Sequence, residues 1–597
     1  MKKEECSKKR VYIILTIMIC IQLISIICYF QFWKEGYHSD EIWSYGFANS
    51  YNLKDIYQDN QGNLLYINEW SNAQVLNDYI VVNDGERFQY GSIYNNQIVD
   101  LSPPFHSMVL HTICSFFPEQ YSRWFSFSIN IVSFLVTMIF LFKTAKLLKN
   151  DVFALCCCAL YGFSMGARDT HVYLRMYAMC TALIMIILYN ILRYLQKYKE
   201  NHKLLQFNLI AIGVASLIGF LTHYYVVSFM GILTFCICAF FLFKREYKLT
   251  FGFGFFMLAI FILSVSIFPA MFQVTENKIS TEASYTDYNF TMRFLILSHY
   301  MMKKMFNISI SMYASATVPI VLGVLVFLLI VCIPLFYLLR DTVGMKKFVK
   351  YNKIVFLHPC RTWRYLMRRT NWVYILLFAT IIGQMFVVGE TSYVYAMGPA
   401  IDRYLFYVFP ILAIIGMALI YQLSLIIFKK KKRSQIILLI ACIVLVGVNC
   451  YNCTLPGIYA FKRQGNAKFE DIVKNENCIY VTNSSWVLTT MVPTLMYADM
   501  FSLVDYREYE NVKALYEEKK DEGVIVILDA SLKQSAEQEY TVDDWKVILQ
   551  QADSEEVIRQ YEEIIAFLED LEPETEMKHL DTQYIQNMQM EVYLVNP

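Results

Sequence analysis

Apolar runs of membrane-spanning length recur along most of this chain, and no other feature limits its fold as tightly. A helix of about 18 or more apolar residues matches the thickness of the hydrocarbon layer. About eleven such runs can be read, near 11 to 33, 121 to 142, 152 to 166, 173 to 195, 205 to 222, 225 to 243, 249 to 270, 315 to 338, 371 to 388, 404 to 428 and 434 to 451. Hydrophobic residues make up 56% of the chain and charged ones 17%, against about 25% charged in an ordinary soluble domain. The expected fold class is mainly α, a polytopic membrane helix bundle followed by a small C-terminal extracytoplasmic α/β domain.

The net charge of +1 conceals a strong asymmetry. Lys and Arg stay preferentially on the cytoplasmic side of short loops. Lys2, Lys3, Lys8, Lys9 and Arg10 precede the first run; Lys143, Lys146 and Lys149 follow the second; Lys197, Lys199 and Lys203 follow the fourth. Lys244, Arg245 and Lys248, the segment from Arg340 to Arg369, and Lys429 to Arg433 fall on the same side. The alternate loops are acidic, the long first one most clearly, with Asp40, Glu41, Asp55, Asp59, Glu69, Asp78, Asp84, Glu86 and Asp100. This pattern predicts a cell-membrane protein with a cytoplasmic N-terminus and an extracytoplasmic C-terminus. Val11 to Trp33 is long for a signal peptide and ends without a small-residue cleavage site, so it is expected to remain as the first span.

Most of the 16 cysteines lie in the apolar runs and read as small hydrophobes. Cys450 and Cys453 have no second pair or nearby His, which speaks against zinc and for two free thiols. After Tyr451 the apolar runs shorten. Cys478 to Thr482 and Val524 to Leu528 read as buried strands, and Asn511 to Lys520 and Glu555 to Leu571 as helices. The expected domains are residues 1–451, including the first loop at 34–120, and residues 452–597. That second part has no Gly-rich phosphate loop, Ser/His/Asp signature or repeat, and nothing in the chain points to a nucleic-acid partner.

Polar residues gather at the predicted outer ends of the spans. The first loop opens with His38, Asp40 and Glu41 and closes with Ser102-Pro103-Pro104-Phe105-His106, followed by Arg123. The second outer loop runs from Gly166 through Arg168, Asp169, His171 and Arg175 to Tyr177. A third carries Thr222-His223-Tyr224-Tyr225, and a later one holds Glu390 and then Asp402-Arg403-Tyr404. Ionisable groups at membrane depth are costly and by default mark a functional cavity. A carboxylate there can take a proton from an acceptor hydroxyl, and an arginine can hold a phosphate through paired N–H bonds. Each residue has a plainer use as well. Asp40 and Glu41 suit the first turn of a juxtamembrane helix; Asp169 suits a helix cap; Arg175 and Arg403 suit headgroup anchoring; His223 suits a satisfied buried turn.

The acidic pair after the first span, Pro103-Pro104, the Arg-x-Tyr-Ala of Arg175 to Ala178, Thr222-His223-Tyr224 and Asp402-Arg403-Tyr404 together resemble the glycosyltransferase-C superfamily. Within it the pattern is similar to the protein O-mannosyltransferase and aminoarabinose-transferase group, over the part up to Tyr451. The resemblance implies a membrane enzyme that moves a sugar from a polyprenyl-phosphate donor to a hydroxyl of a glycan, lipid or protein, by inversion. It implies that Asp40 is the general base and that Glu41 supports it or helps bind a divalent metal. It makes Asp169 a second active-site acid, Arg175 and Arg403 ligands of the lipid phosphate, and His223 a cavity histidine open to substrate or metal. Arg168 and Tyr177, from the same loop, join the substrate-binding candidates. Close after Asp40 and Glu41 the loop has no basic residue except Lys54 and Arg87. The competing classes are a transporter, for which repeats and broken helices are wanting, and a membrane scaffold or sensor with an outer domain.

Overall fold

The computed structural model describes residues 2–51, 66–197, 202–272, 290–308, 372–391, 398–428, 430–454, 457–461, 465–482, 488–530, 541–542, 545–546, 554–570, 577–585 and 588–595. The chain divides into two compact units. Unit 1 comprises Met1–Ile26, Ile129–His171 and Met176–Leu455, and unit 2 comprises Ile27–Ser128, Val172–Arg175 and Pro456–Pro597.

Among the described residues, eight helices are long and apolar enough to cross a membrane: Lys9–Phe32, Arg123–Leu148, Tyr177–Gln196, Tyr224–Phe243, Tyr247–Ile267, Trp372–Thr391, Ile401–Leu425 and Lys431–Cys453. Two further expected spans are shorter apolar helices, Asp151–Gly162 and Gln206–Phe220. The expected span at 315–338 and the basic stretch 340–369 lie outside the described residues. This is a multi-pass membrane protein, mainly α-helical.

Unit 1 is a helix bundle. The helix Tyr177–Lys197 packs against His202–Phe220 and against the 3-10 stretch Gly398–Val408. Asp151–Gly162 packs on Phe409–Phe428 and Lys431–Cys453. Apolar side chains also cover outward faces, as with Phe251, Phe255, Leu258 and Ile262 on Tyr247–Ile267. Such surfaces suit lipid, so hydrophobicity cannot hold these helices together and close packing has to. Gly162 shows the device: a Cβ there would lie 2.3 Å from the Gln22 side chain. The space it leaves lets the buried Gln22 amide donate to the Cys158 carbonyl oxygen at 3.1 Å.

Unit 2 joins short helices of the first loop, Ser39–Asn49, Gln74–Ile80, Tyr90–Asp100 and Phe105–Ser115, to a six-stranded sheet. Its strands are β1 (Ser71–Asn72), β2 (Asn477–Thr482), β3 (Met500–Asp505), β4 (Val524–Asp529), β5 (Met577–Ile585) and β6 (Met588–Val595), in the spatial order β1-β3-β2-β4-β6-β5. β3 and β4 flank β2 in parallel, and the other pairings are antiparallel. Every residue of β2 and β4 is buried. That explains why both read as unbroken apolar runs rather than alternating ones. Val512 and Leu515 of the helix Asn511–Lys519 and Ile564 and Leu568 of Ser554–Glu569 close the core over Ile479, Val481, Val526 and Leu528. The first loop supplies β1, and Tyr66 and Asn68 exchange backbone hydrogen bonds with Leu503 at 2.8 Å each. One edge of the C-terminal sheet is thus paired by chain from before the second span.

Candidate functional site

In unit 2 the helix Ser39–Asn49 positions the acidic pair. His38 is its N-cap: the ring Nδ1 accepts the Asp40 N–H at 3.1 Å, and the Glu41 carboxylate accepts the His38 N–H at 2.8 Å. This reciprocal cap satisfies two of the otherwise unpaired N–H groups of a helix start. Asp40 and Glu41 therefore do occupy a helical first turn, where the dipole favours them. Their surroundings then diverge. Glu41 is fully buried, its carboxylate receives the Lys34 ammonium at 2.8 and 3.0 Å, and it also accepts the Leu174 N–H at 2.7 Å. Lys34, equally buried, donates its remaining bond to the Tyr459 carbonyl at 3.0 Å.

The Asp40 side chain remains 13% exposed. Its Oδ2 accepts the Tyr173 hydroxyl at 2.9 Å, while His38 Nδ1 lies 3.6 Å from Oδ1. Because that Nδ1 already accepts a backbone N–H, its lone pair rather than a proton faces the carboxylate, and the ring proton belongs on Nε2. Arg175 Nη1 donates to the Asp40 carbonyl oxygen at 3.0 Å and meets Ser44 Oγ at 2.9 Å. A guanidinium from 135 residues away thereby clamps the turn that carries Asp40. His106 lies buried in the same unit, and burial together with the Arg175 charge pushes its imidazole down to about 3.

Unit 1 holds a second acidic cluster, with a different character. Asp169, on the short helix Met165–Val172, accepts Arg168 Nε at 2.8 Å and the Lys304 ammonium on its other oxygen. Lys304 also lies 3.3 Å from Asp402 Oδ2, and all four side chains are buried. Burial alone would raise the Asp169 carboxyl, but Arg168 and Lys304 hold it below its ordinary value. Burial likewise opposes the charge on Lys304, and the two carboxylates more than offset it. In the same unit His223 caps Tyr224–Phe243 by accepting the Tyr225 N–H at 3.1 Å. Its ring lies 5.2 Å from that of Tyr177 and 5.3 Å from that of Tyr225. Tyr404 lies 5.0 Å from Tyr225 and receives the Arg403 guanidinium over its face at 5.2 Å. Tyr177, His223, Tyr225 and Tyr404 form an aromatic group that meets a cation at Tyr404, an arrangement that suits stacking against a ring or a charge.

Lys34, Tyr173, Lys304 and the ionic partnership of Asp402 were not anticipated from the sequence. Lys34 had one available signal, as the basic residue next to the end of the first span. Lys304 had another, as half of a basic pair in the otherwise apolar helix Phe290–Phe306. Among the described residues no three His, Cys, Asp or Glu side chains stand together as a metal site. Glu41 and His223, the residues considered for one, use Glu41's carboxylate and His223's Nδ1 within their own caps. Cys450 and Cys453 are free thiols.

No family model matches the chain, and no curated protein does. Among solved structures it is similar to ArnT from Cupriavidus metallidurans bound to undecaprenyl phosphate, at 11% identity and a TM-score of 0.44, over 98% of each chain. The apo state of that protein is similar at 12% identity and 0.38, over 99% of this chain and 98% of the other. The archaeal oligosaccharyltransferase AglB from Archaeoglobus fulgidus, in complex with an inhibitory peptide and a dolichol-phosphate, gives 9% and 0.42, over 88% of this chain and 70% of that one. At such values the chemistry has to be read from this chain's own side chains.

Proposed function

We propose that this protein is an integral-membrane glycosyltransferase of the C superfamily. It takes a sugar from a polyprenyl-phosphate donor and places it on a hydroxyl of a cell-surface glycan, lipid or protein. The observation that carries the proposal is the contrast within the first acidic pair. Glu41 is consumed by a buried ammonium and a helix cap, whereas Asp40 stays partly open on a turn fixed by His38, Tyr173 and Arg175. An accessible carboxylate on a rigid turn is what a general base needs. A membrane scaffold has no use for it.

In the proposed reaction the acceptor hydroxyl attacks the anomeric carbon and gives its proton to Asp40. The new C–O bond forms as the bond from that carbon to the phosphate oxygen breaks. The polyprenyl phosphate leaves with the electron pair, and a single in-line displacement inverts the anomeric centre. Tyr173 orients the carboxylate, and Glu41 acts on it only by setting the helix start. Arg403, with Tyr177 and His223, is assigned to the donor's phosphate and sugar. Arg175 is primarily a positioning residue for Asp40, with its phosphate role secondary. Arg168 and Asp169, on the helix Met165–Val172, are assigned a structural role through their ion pairs. The functional domains are taken as residues 1–451 and 452–597, the N-terminus as cytoplasmic and the C-terminal domain as extracytoplasmic, following the distribution of Lys and Arg.

Mass spectrometry of cell-surface glycans, lipids and proteins, with and without the gene, tests the proposal. A sugar missing from one of these in the deletion strain supports it and names the product; unchanged profiles would overturn it.

A further inference from the structure

In unit 1 the C-terminal parts of the helices Arg123–Leu148 and Tyr177–Lys197 lie side by side. Phe140 meets Tyr189 edge to face with ring centroids 5.5 Å apart, and the Gln196 amide donates to the Leu147 carbonyl oxygen at 3.4 Å. Two cations stand on this seam. Lys143 Nζ lies 4.9 Å from the Phe140 ring and 5.8 Å from the Tyr189 ring. Arg193 Nη1 donates to the Tyr189 hydroxyl oxygen at 3.1 Å, with its guanidinium 5.8 Å from the same ring. A single phenol thus gathers a lysine of one helix and an arginine of the other.

Neither cation has a counter-charge in the protein. Among the described residues no carboxylate pairs with Lys143 or Arg193, whereas Lys146, one turn further on, has Asp151 at 2.6 Å. The helix ends do not supply one either. A terminal dipole fades within the last turn, and both residues stand more than a turn before the final residue of their helices. Their Cα–Cβ bonds also lean away from the terminal carbonyls. Lys143 is exposed, and Phe140, Tyr189 and Arg193 are half-buried, so the group is open to a ligand.

The donors present select that ligand. The Tyr189 oxygen already accepts from Arg193, which leaves its own proton to give, beside the Lys143 ammonium and the remaining guanidinium N–H groups. A phosphodiester supplies both the acceptor oxygens and the missing negative charge. Both helices are of membrane-crossing length, so the phosphodiester found at their ends is that of a lipid. A zwitterionic headgroup would bring an ammonium of its own towards two cations, and an anionic one brings none.

We infer that Lys143, Tyr189 and Arg193 form a binding site for the headgroup phosphate of an anionic phospholipid, which bridges the two helices. Basic pockets between membrane helices recognise such headgroups. The site stands apart from the residues assigned to the donor, since roughly 24 Å of helical rise separates Arg193 from Tyr177. It depends neither on the glycosyltransferase reading nor on which leaflet these helix ends meet.

The test uses the full-length protein in a non-ionic detergent, titrated with phosphatidylglycerol or phosphatidylcholine and read by native mass spectrometry as the fraction carrying lipid. Phosphatidylglycerol should be retained above phosphatidylcholine. Lys143→Gln and Arg193→Gln should each weaken that retention by about fivefold, and together should lower it to the level of phosphatidylcholine. Lys143→Arg, which keeps the charge, and Lys146→Gln, whose lysine belongs to Asp151, should retain the lipid as the wild type does. In phosphatidylcholine nanodiscs, added phosphatidylglycerol should raise the thermal midpoint of the wild type and not that of the double variant. Equal retention of the two lipids, or unchanged retention by the double variant, would overturn the inference. So would an equal loss in Lys146→Gln, the mark of a merely basic surface, or displacement of the lipid by excess inorganic phosphate, the mark of a site for the free anion.

Discussion

Asp40 in unit 2 and Asp169 in unit 1 are both carboxylates that follow an apolar helix, yet their environments are opposites. Asp169 is fully buried between Arg168 and Lys304, and the second oxygen it offers is taken by the same ammonium that reaches Asp402. Asp40 is partly exposed and is met by a neutral phenol and the lone pair of a capping histidine. A base must have an oxygen that a substrate can reach, and the Asp40 side chain, 13% exposed, offers one where the Asp169 side chain does not. Asp169 is built to hold Lys304 and, through it, Asp402, which gives unit 1 a buried ionic pin.

Substitutions can break that contrast, and in stability the largest effect belongs to the pin. Lys304→Met leaves two buried carboxylates facing each other and should cost about 3–5 kcal/mol, read as a large drop in the thermal midpoint. A midpoint within a degree or two of wild type would remove the distinction between the two clusters. Glu41→Gln keeps the cap geometry but leaves the Lys34 ammonium buried without its counter-charge, for a loss of about 2 kcal/mol. Turnover by the molecules that remain folded should survive, and a variant that is stable but inactive would return Glu41 to the chemistry. Tyr173→Phe removes one hydrogen bond to Asp40 and should cost about 1 kcal/mol, with a several-fold drop in kcat.

The smallest change, near neutral pH, comes from His106. Its folded value of about 3 lies below its ordinary 6.5. Between those limits the unfolded chain binds a proton that the folded chain refuses, so stability falls as the pH falls below about 6.5. His171 in unit 1, held at about 4 chiefly by burial, acts in the same direction. His106→Gln should flatten part of the decline in thermal midpoint measured from neutral to mildly acidic pH. An unchanged slope would show that His106 is not a buried neutral group. Asp169, held low, adds a loss of its own only when the pH drops through its depressed value, below the ordinary 3.8.

The membrane helices were legible because a span is a long, one-dimensional signal, and ten of the eleven expected runs coincide with described apolar helices, two of them shorter than a full crossing. The buried strands β2 and β4 were legible for the same reason, as continuous apolar runs. β1 was not, because two residues carry no period and their pairing with β3 is set by contacts more than 400 positions away. Adjacent residues in a helical first turn point about 100° apart. The sequence could therefore present Asp40 and Glu41 as a pair without showing which of them meets Lys34. Ion pairs across 135 residues, such as Lys304 with Asp169, leave no local trace at all.

The most direct measurement is transfer by Asp40→Asn, made on protein with a wild-type thermal midpoint and alongside donor binding. Loss of a general base should lower turnover by about 10²–10⁴-fold while the donor still binds. An Asn variant that transfers sugar within a few-fold of wild type would contradict the account, whatever the fate of the other residues.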